Sequence, residues 1–153
     1  MNQGKRFEGK HVVVTGGGRG IGFEIARQFL QEGARVYIFE VDKGLLETAL
    51  VQLRGKVGNA ALVEGSQVDV CDGVAVRAGV SQAEGIAPID VLINNAGVAF
   101  ETPFLELPEA QWRQVLDINL TGFFLVAQAV CQHMARRRRG VVVNMASKNG
   151  LFG

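Results

Sequence analysis

The residues of this chain with the plainest chemical purpose are glycines. Thr15-Gly16-Gly17-Gly18-Arg19-Gly20-Ile21-Gly22 follows the apolar run His11-Val12-Val13-Val14 and leads into a segment where Phe23, Ala26, Phe29 and Leu30 share one helical face. A strand, a glycine turn and a helix start, in that order, bring free backbone N–H groups and the positive end of a helix dipole to one point. Such a point suits a pyrophosphate, and a Cβ on the loop would block both the tight turn and the ligand's approach. The spacing is T-G-x-x-x-G-x-G, carried by Thr15, Gly16, Gly20 and Gly22; G-x-G-x-x-G fits in no register. Glu40 stands about 20 residues beyond the loop, where an acid can accept the ribose hydroxyls of an adenosine. A carboxylate there repels a 2′-phosphate and favours NAD over NADP. Arg19 is the opposing signal, because a guanidinium can grip that phosphate.

The elements that must position these groups alternate. Strands are expected at Lys10–Thr15, Arg35–Phe39 (ending at Glu40), Ala60–Val68 (ending at Asp69), Ile89–Ile93 and Gly140–Met145. Helices are expected after the glycine loop with Gly33 as C-cap, at Asp42–Arg54 with Asp42 as N-cap, at Asp72–Glu84 interrupted by Gly79, and at Pro108–Arg138 with Pro108 in the first turn. Strict β/α alternation with apolar strands predicts an α/β fold: a doubly wound parallel sheet, five strands represented, with the ligand at the carboxyl ends of the strands.

Bulk properties narrow the function classes. A length of 153 residues suits one domain with a sizeable core, here a single dinucleotide-binding domain over 1–153. Lysine plus arginine number 16 against 15 acids, so no global field draws in nucleic acid or a membrane surface. The Arg136–Arg139 run reads as a solvated helix end complementing the dipole. Cys71, Cys131, His11 and His133 lack metal-ligand spacing, which suits a reduced, metal-free cytoplasmic protein. Met1–Gly9 has no apolar signal core, and no segment reads as long and apolar enough to span a bilayer.

The glycine spacing resembles that of the short-chain dehydrogenase/reductase family, which is a Rossmann fold. Asn94-Asn95-Ala96-Gly97 after the fourth strand resembles the family's N-N-A-G motif, and Asp69-Val70 its Asp–hydrophobic pair at the adenine. Asp117-Ile118-Asn119-Leu120-Thr121-Gly122 resembles the segment with the catalytic asparagine, held at a helix irregularity with a water of the proton relay. Asn119 and Gly122 are indeed poor helix-interior residues. Asn144–Gly150 resembles the active-site serine segment, with Ser147 at the catalytic position. The resemblance implies Ser147 and Asn119 as catalytic residues. It implies cofactor contacts from Gly16, Gly18, Arg19, Gly20, Ile21 and Gly22, then Glu40, Asp69 and Val70, then Asn95, Ala96 and Gly97. Serine would hydrogen-bond the substrate oxygen and stabilise its charge.

The family's acid–base pair, Y-x-x-x-K, is not found. Tyr37 is the single tyrosine and lies inside the second strand, and Lys148 adjoins the serine. The expectation is therefore the cofactor-binding portion of a longer NAD-dependent alcohol/ketone oxidoreductase, truncated before that motif. A non-catalytic NAD-binding module or inactive fragment acting through oligomerisation is the alternative. The fifth strand, Val141–Val143, is expected as an unpaired sheet edge. A homo-dimer or homo-tetramer is expected through the long helix, with Phe123 and Phe124 offering apolar area. Val98, Ala99, Asn149 and Leu151 are the expected border of a modestly apolar substrate pocket.

Overall fold

The computed structural model describes residues 5–56 and 62–147. Five parallel strands form one sheet in the order β3-β2-β1-β4-β5: β1 (His11–Thr15), β2 (Arg35–Glu40), β3 (Val63–Gln67), β4 (Val91–Asn94) and β5 (Val141–Asn144). Helices α1 (Gly20–Gln31), α2 (Lys43–Arg54), α3 (Gly73–Ile86), α4 (Glu109–Leu116) and α5 (Phe123–Arg137) connect them, a π-helical turn over Asp117–Gly122 joining the last two. This is the doubly wound α/β fold that the alternation predicts.

β1 lies between β2 and β4 and is buried along its whole length, which is why its sequence is continuously apolar rather than alternating. Its pleat feeds two cores. Val12 and Val14 join Ile38, Ala26 and Leu30 on the α1/α2 side. Val13 joins Phe39, Leu92, Val76 and Val126 on the α3/α5 side. Side chains set the helix starts: the Asp42 carboxylate accepts from Leu45 N at 3.0 Å, and that of Asp72 from Val74 N at 2.8 Å and Ala75 N at 3.2 Å.

Several expectations are revised. β3 starts at Val63; Ala60 and Ala61 lie outside the described residues. Gly79 does not interrupt α3. A Cβ there would stand 2.8 Å from Val68 Cγ2 and 3.2 Å from the Phe39 ring, so glycine lets the helix press onto the sheet. The arginine run is not simply solvated. Arg137 donates to the Glu84 carboxylate at 2.7 and 3.0 Å and to Ile89 O at 3.0 Å, and Arg139 pairs with Asp90. Finally, the π turn makes Glu109–Arg137 one helix of 29 residues containing an 18-residue stretch of mean hydropathy 1.4, long and apolar enough by length and composition to cross a bilayer. Its inner side, Val126, Val130 and Met134, instead packs with α3 on the sheet. Pro108 is the N-cap residue of this helix, just outside its first turn.

β5 pairs with β4 and is the sheet edge among the described residues, as expected, with Val141 56% and Val143 40% exposed.

Candidate active site

The carboxyl ends of β1 to β4 frame a cleft of about 370 Å³. It sits where the strand order reverses at β1, the position at which open α/β sheets bind ligands.

The glycine loop is shaped from inside as well as from the cleft. Gly16 has φ +64°, and a Cβ on it would reach Ala96 Cα at 2.9 Å. At Gly22 a Cβ would stand 2.2 Å from Gly16 O, at Gly17 2.8 Å from the Ile38 side chain, and at Gly18 2.6 Å from the Glu40 carboxylate. Gly20, at φ +56°, has open space around its missing Cβ and lines the cleft. It opens α1, whose N-cap residue Arg19 makes no side-chain capping bond and whose first turn holds no acid. The first-turn amides are thus left to an incoming anion.

Thr15 and Asn95 fasten β1 to β4 behind this loop. Thr15 Oγ1 accepts from Asn95 N and Ala96 N, both at 2.9 Å, while Asn95 Nδ2 donates to Thr15 O at 3.0 Å and Gly16 O at 3.3 Å. Asn94, buried, donates from Nδ2 to Phe123 O at 2.9 Å and to Asn144 Oδ1 at 3.1 Å. The two asparagines of the tetrad therefore tie β4 in opposite directions, one to the loop and the other to α5 and β5.

Glu40 is only 8% exposed and lines the cleft. Its Oε2 accepts from Gly18 N at 3.0 Å, and its Oε1 from Val41 N at 3.0 Å and Asp42 N at 3.3 Å. A carboxylate offers about four acceptor positions. Three are taken, which leaves room for one further hydroxyl rather than the two expected.

The remaining expected residues divide. Gly16, Arg19, Gly20, Ile21 and Gly22 line the cleft, as do Val70, Asn95, Ala96 and Gly97. Gly18 does not; it serves the loop's fit to Glu40. Asp69 does not either: its Oδ1 accepts from Cys71 N at 2.9 Å and the residue is exposed, while its neighbours Val68 and Val70 form the wall. Burial, reinforced by the Asp69 charge, pushes the Cys71 thiol up to about 11.

Asn119 lies in the π turn. Gly122 permits that turn to approach the strand ends, since a Cβ on it would meet Val70 Cγ2 at 2.8 Å. The Asn119 side chain accepts from Val98 N at 2.9 Å and donates to Val98 O at 2.8 Å. It acts on the cleft through Val98, which lines it; Ala99 does not. Ser147 follows β5, is exposed, and does not line this cleft. Lys148, Asn149, Leu151 and Gly153 lie outside the described residues. Tyr37 is 6% exposed in the α3/α5 core and donates to Gln82 Oε1 at 3.3 Å. Sequence reasoning missed Phe39, Val41, Val68 and Ile118 as cleft residues. Three adjoin or flank the strand-end acids Glu40 and Asp69 and the fourth precedes Asn119, so proximity to those residues was the available signal.

The residues present fit a dinucleotide: an open glycine cradle, uncapped amides, an acid at the ribose position and apolar walls. These features define a Rossmann-type protein with its site at the switch point. A family profile described as short chain dehydrogenase matches residues 10–153, and the chain belongs to that family. It is 37% identical to galactitol 2-dehydrogenase (L-tagatose-forming) of Cereibacter sphaeroides over 145 residues, covering 95% of this chain and 55% of the relative. It is 36% identical to 5-keto-D-gluconate 5-reductase of Escherichia coli K12, covering 100% and 59%. Among solved structures, a gluconate 5-dehydrogenase from Burkholderia cenocepacia J2315 in complex with NADP and tartrate superposes with a TM-score of 0.87 at 30% identity, covering 98% and 58%. The chain thus spans a little over half the length of these relatives.

Proposed function

We propose that the complete protein transfers a hydride between a nicotinamide dinucleotide and an alcohol/ketone pair, preferring NAD to NADP, in a reducing cytoplasm. When bound, the nicotinamide supplies or accepts the hydride. The loop amides at the start of α1 bind the diphosphate, and Glu40 accepts from a ribose hydroxyl. Asn119 fixes the Val98 wall against which the substrate end of the cofactor lies, and supports the proton relay. Ser147 donates to the substrate oxygen and stabilises the charge that develops on it. The proton donor is assigned to a Y-x-x-x-K segment beyond Gly153, because the only tyrosine within 1–153 is committed to the core.

One observation carries the cofactor preference: a buried carboxylate, backed by three amides, forms the cleft wall beside Gly18. A 2′-phosphate arriving there meets a like charge in a partly desolvated setting, which costs more than at an exposed site. Arg19 is the counterweight, and the Burkholderia relative was solved with NADP. The deciding experiment compares kcat/KM for NAD and NADP with the protein expressed from its whole reading frame, over a panel of alcohols and ketones. Preference for NAD is expected; tighter use of NADP overturns the Glu40 assignment and promotes Arg19.

A further inference from the structure

The sheet's other end holds a group the proposed chemistry does not use. His11 opens β1, is 1% exposed, and points Nδ1 at Ala87 O, 2.8 Å away, just past the end of α3. A carbonyl oxygen only accepts, so Nδ1 carries the proton and the neutral ring leaves Nε2 as a bare acceptor. Nε2 is buried with no hydrogen-bond partner among the described residues. The Tyr37 ring stands edge-on, centroids 6.4 Å apart.

We propose that His11 is an acid-sensitive latch: neutral, it ties β1 to the end of α3, and on taking up a second ring proton it destabilises the whole sheet. The second proton would sit on Nε2, turning an unpaired acceptor into an unpaired, charged donor in a buried site. The charged groups around the ring offer little compensation. From β2, Arg35 opposes a cation. From α3, Glu84 favours one, as does Asp90 before β4. Both acids are already committed, however: Glu84 to Arg137 and near His133 of α5, and Asp90 to Arg139 and, at 3.9 Å, Lys10 of the chain entering β1. Asp90 also accepts from His11 N at 3.1 Å, so its charge holds the backbone rather than the ring.

Burial accordingly pushes the imidazole below its ordinary 6.5, outweighing the pull of the Ala87 carbonyl and the two acids. For a base depressed in the folded state, the unfolded chain binds the extra proton first as pH falls. Stability is therefore full above 6.5 and is lost progressively below it, by up to about tenfold in the unfolding constant per pH unit. The neighbouring acids Glu84 and Asp90 are themselves held below their ordinary 4.5 and 3.8, so neither accounts for a loss of stability between 6.5 and about 5.

The test is urea unfolding of the whole-reading-frame protein between pH 5 and 8, for wild type, His11→Leu and His133→Gln. Wild type and His133→Gln should lose stability below pH 6.5, while His11→Leu stays flat. A His11→Leu protein that keeps the wild-type pH dependence overturns the proposal. Should that variant fail to fold, ¹⁵N signals of the wild-type His11 ring decide. A neutral Nδ1–H tautomer persisting below pH 6 supports the latch, and protonation at or above 6.5 refutes it.

Discussion

At the scale of single residues, Glu40 does two jobs with one carboxylate. Its charge faces the cleft, and its Oε2 holds Gly18 of the glycine loop. Glu40→Ser should therefore both relax the exclusion of NADP and loosen the loop, so its NADP binding improves while its NAD binding falls at least tenfold, as titration calorimetry would read. Glu40→Gln removes the charge but keeps an acceptor for Gly18, and should lose less NAD affinity than Glu40→Ser. If the two variants behave alike, the tether contributes nothing. Gly22→Ala is a sharper case: a Cβ 2.2 Å from a backbone oxygen cannot be accommodated by side-chain adjustment. It should abolish dinucleotide binding and cost at least about 1–3 kcal/mol of stability in urea unfolding. Sequence spacing was enough to place Gly16, Gly20, Gly22 and Glu40 around one cleft. It was not enough to show that Gly18 serves Glu40, or that Asp69 turns back onto Cys71, because those facts depend on which backbone donors lie within reach once the strands are in register.

Among the elements, α3 and the helix from Glu109 to Arg137 break local rules for tertiary reasons. Gly79 reads as a helix breaker, yet it is the point where α3 meets Val68 and Phe39. Gly79→Ala gains about 1 kcal/mol of helix propensity and overpacks this contact at a cost of about 1–3 kcal/mol. A net loss of stability is expected, measurable as a lower urea midpoint with an unchanged slope. Asn119 is likewise a poor helix former whose presence the sequence flagged, but its target did not show: both ends of its amide are spent on Val98. Asn119→Ala should lower kcat more than dinucleotide affinity, since it frees the substrate-side wall and leaves the glycine loop intact. Equal losses in both would place its role in the loop instead. The central strands β1, β2 and β4 were readable because parallel, two-sided burial demands continuous apolar runs. The helix's π turn was readable only as an anomaly, because the residues it packs against, Val98 and Val70, are far away in sequence.

For the whole molecule, an exposed apolar stripe runs along the long helix: Trp112, Leu116, Leu120 and Phe124, spaced four residues apart and 37–65% exposed. Phe123, expected to share it, is partly buried and gives its carbonyl to Asn94. A second copy laid against the stripe is the expected partner, making the complete protein a dimer or tetramer. Sedimentation of Leu120→Glu with Phe124→Glu should show dissociation, and an unchanged sedimentation coefficient would remove the stripe from the interface. A polypeptide of residues 1–153 should turn over no alcohol or ketone, since its one tyrosine is locked into the core. NADH absorbance with a mass-verified sample checks this.

The strand order has a consequence for how the protein is made. β1, β2 and β3 are neighbours in sequence and in space, so they can pair as they leave the ribosome. The loop's other wall arrives much later, because Asn95, which bonds Thr15, is 80 positions further along the chain. Until then the flank of β1 that will receive β4 is an open, apolar template. Nascent chains stalled short of β4 should therefore be held by chaperones and ignore dinucleotide. Chains extended past Val98 hold the β4 wall together with the glycine loop, and only those that also carry Ile118 line the whole cleft, so dinucleotide binding should report how far synthesis has gone.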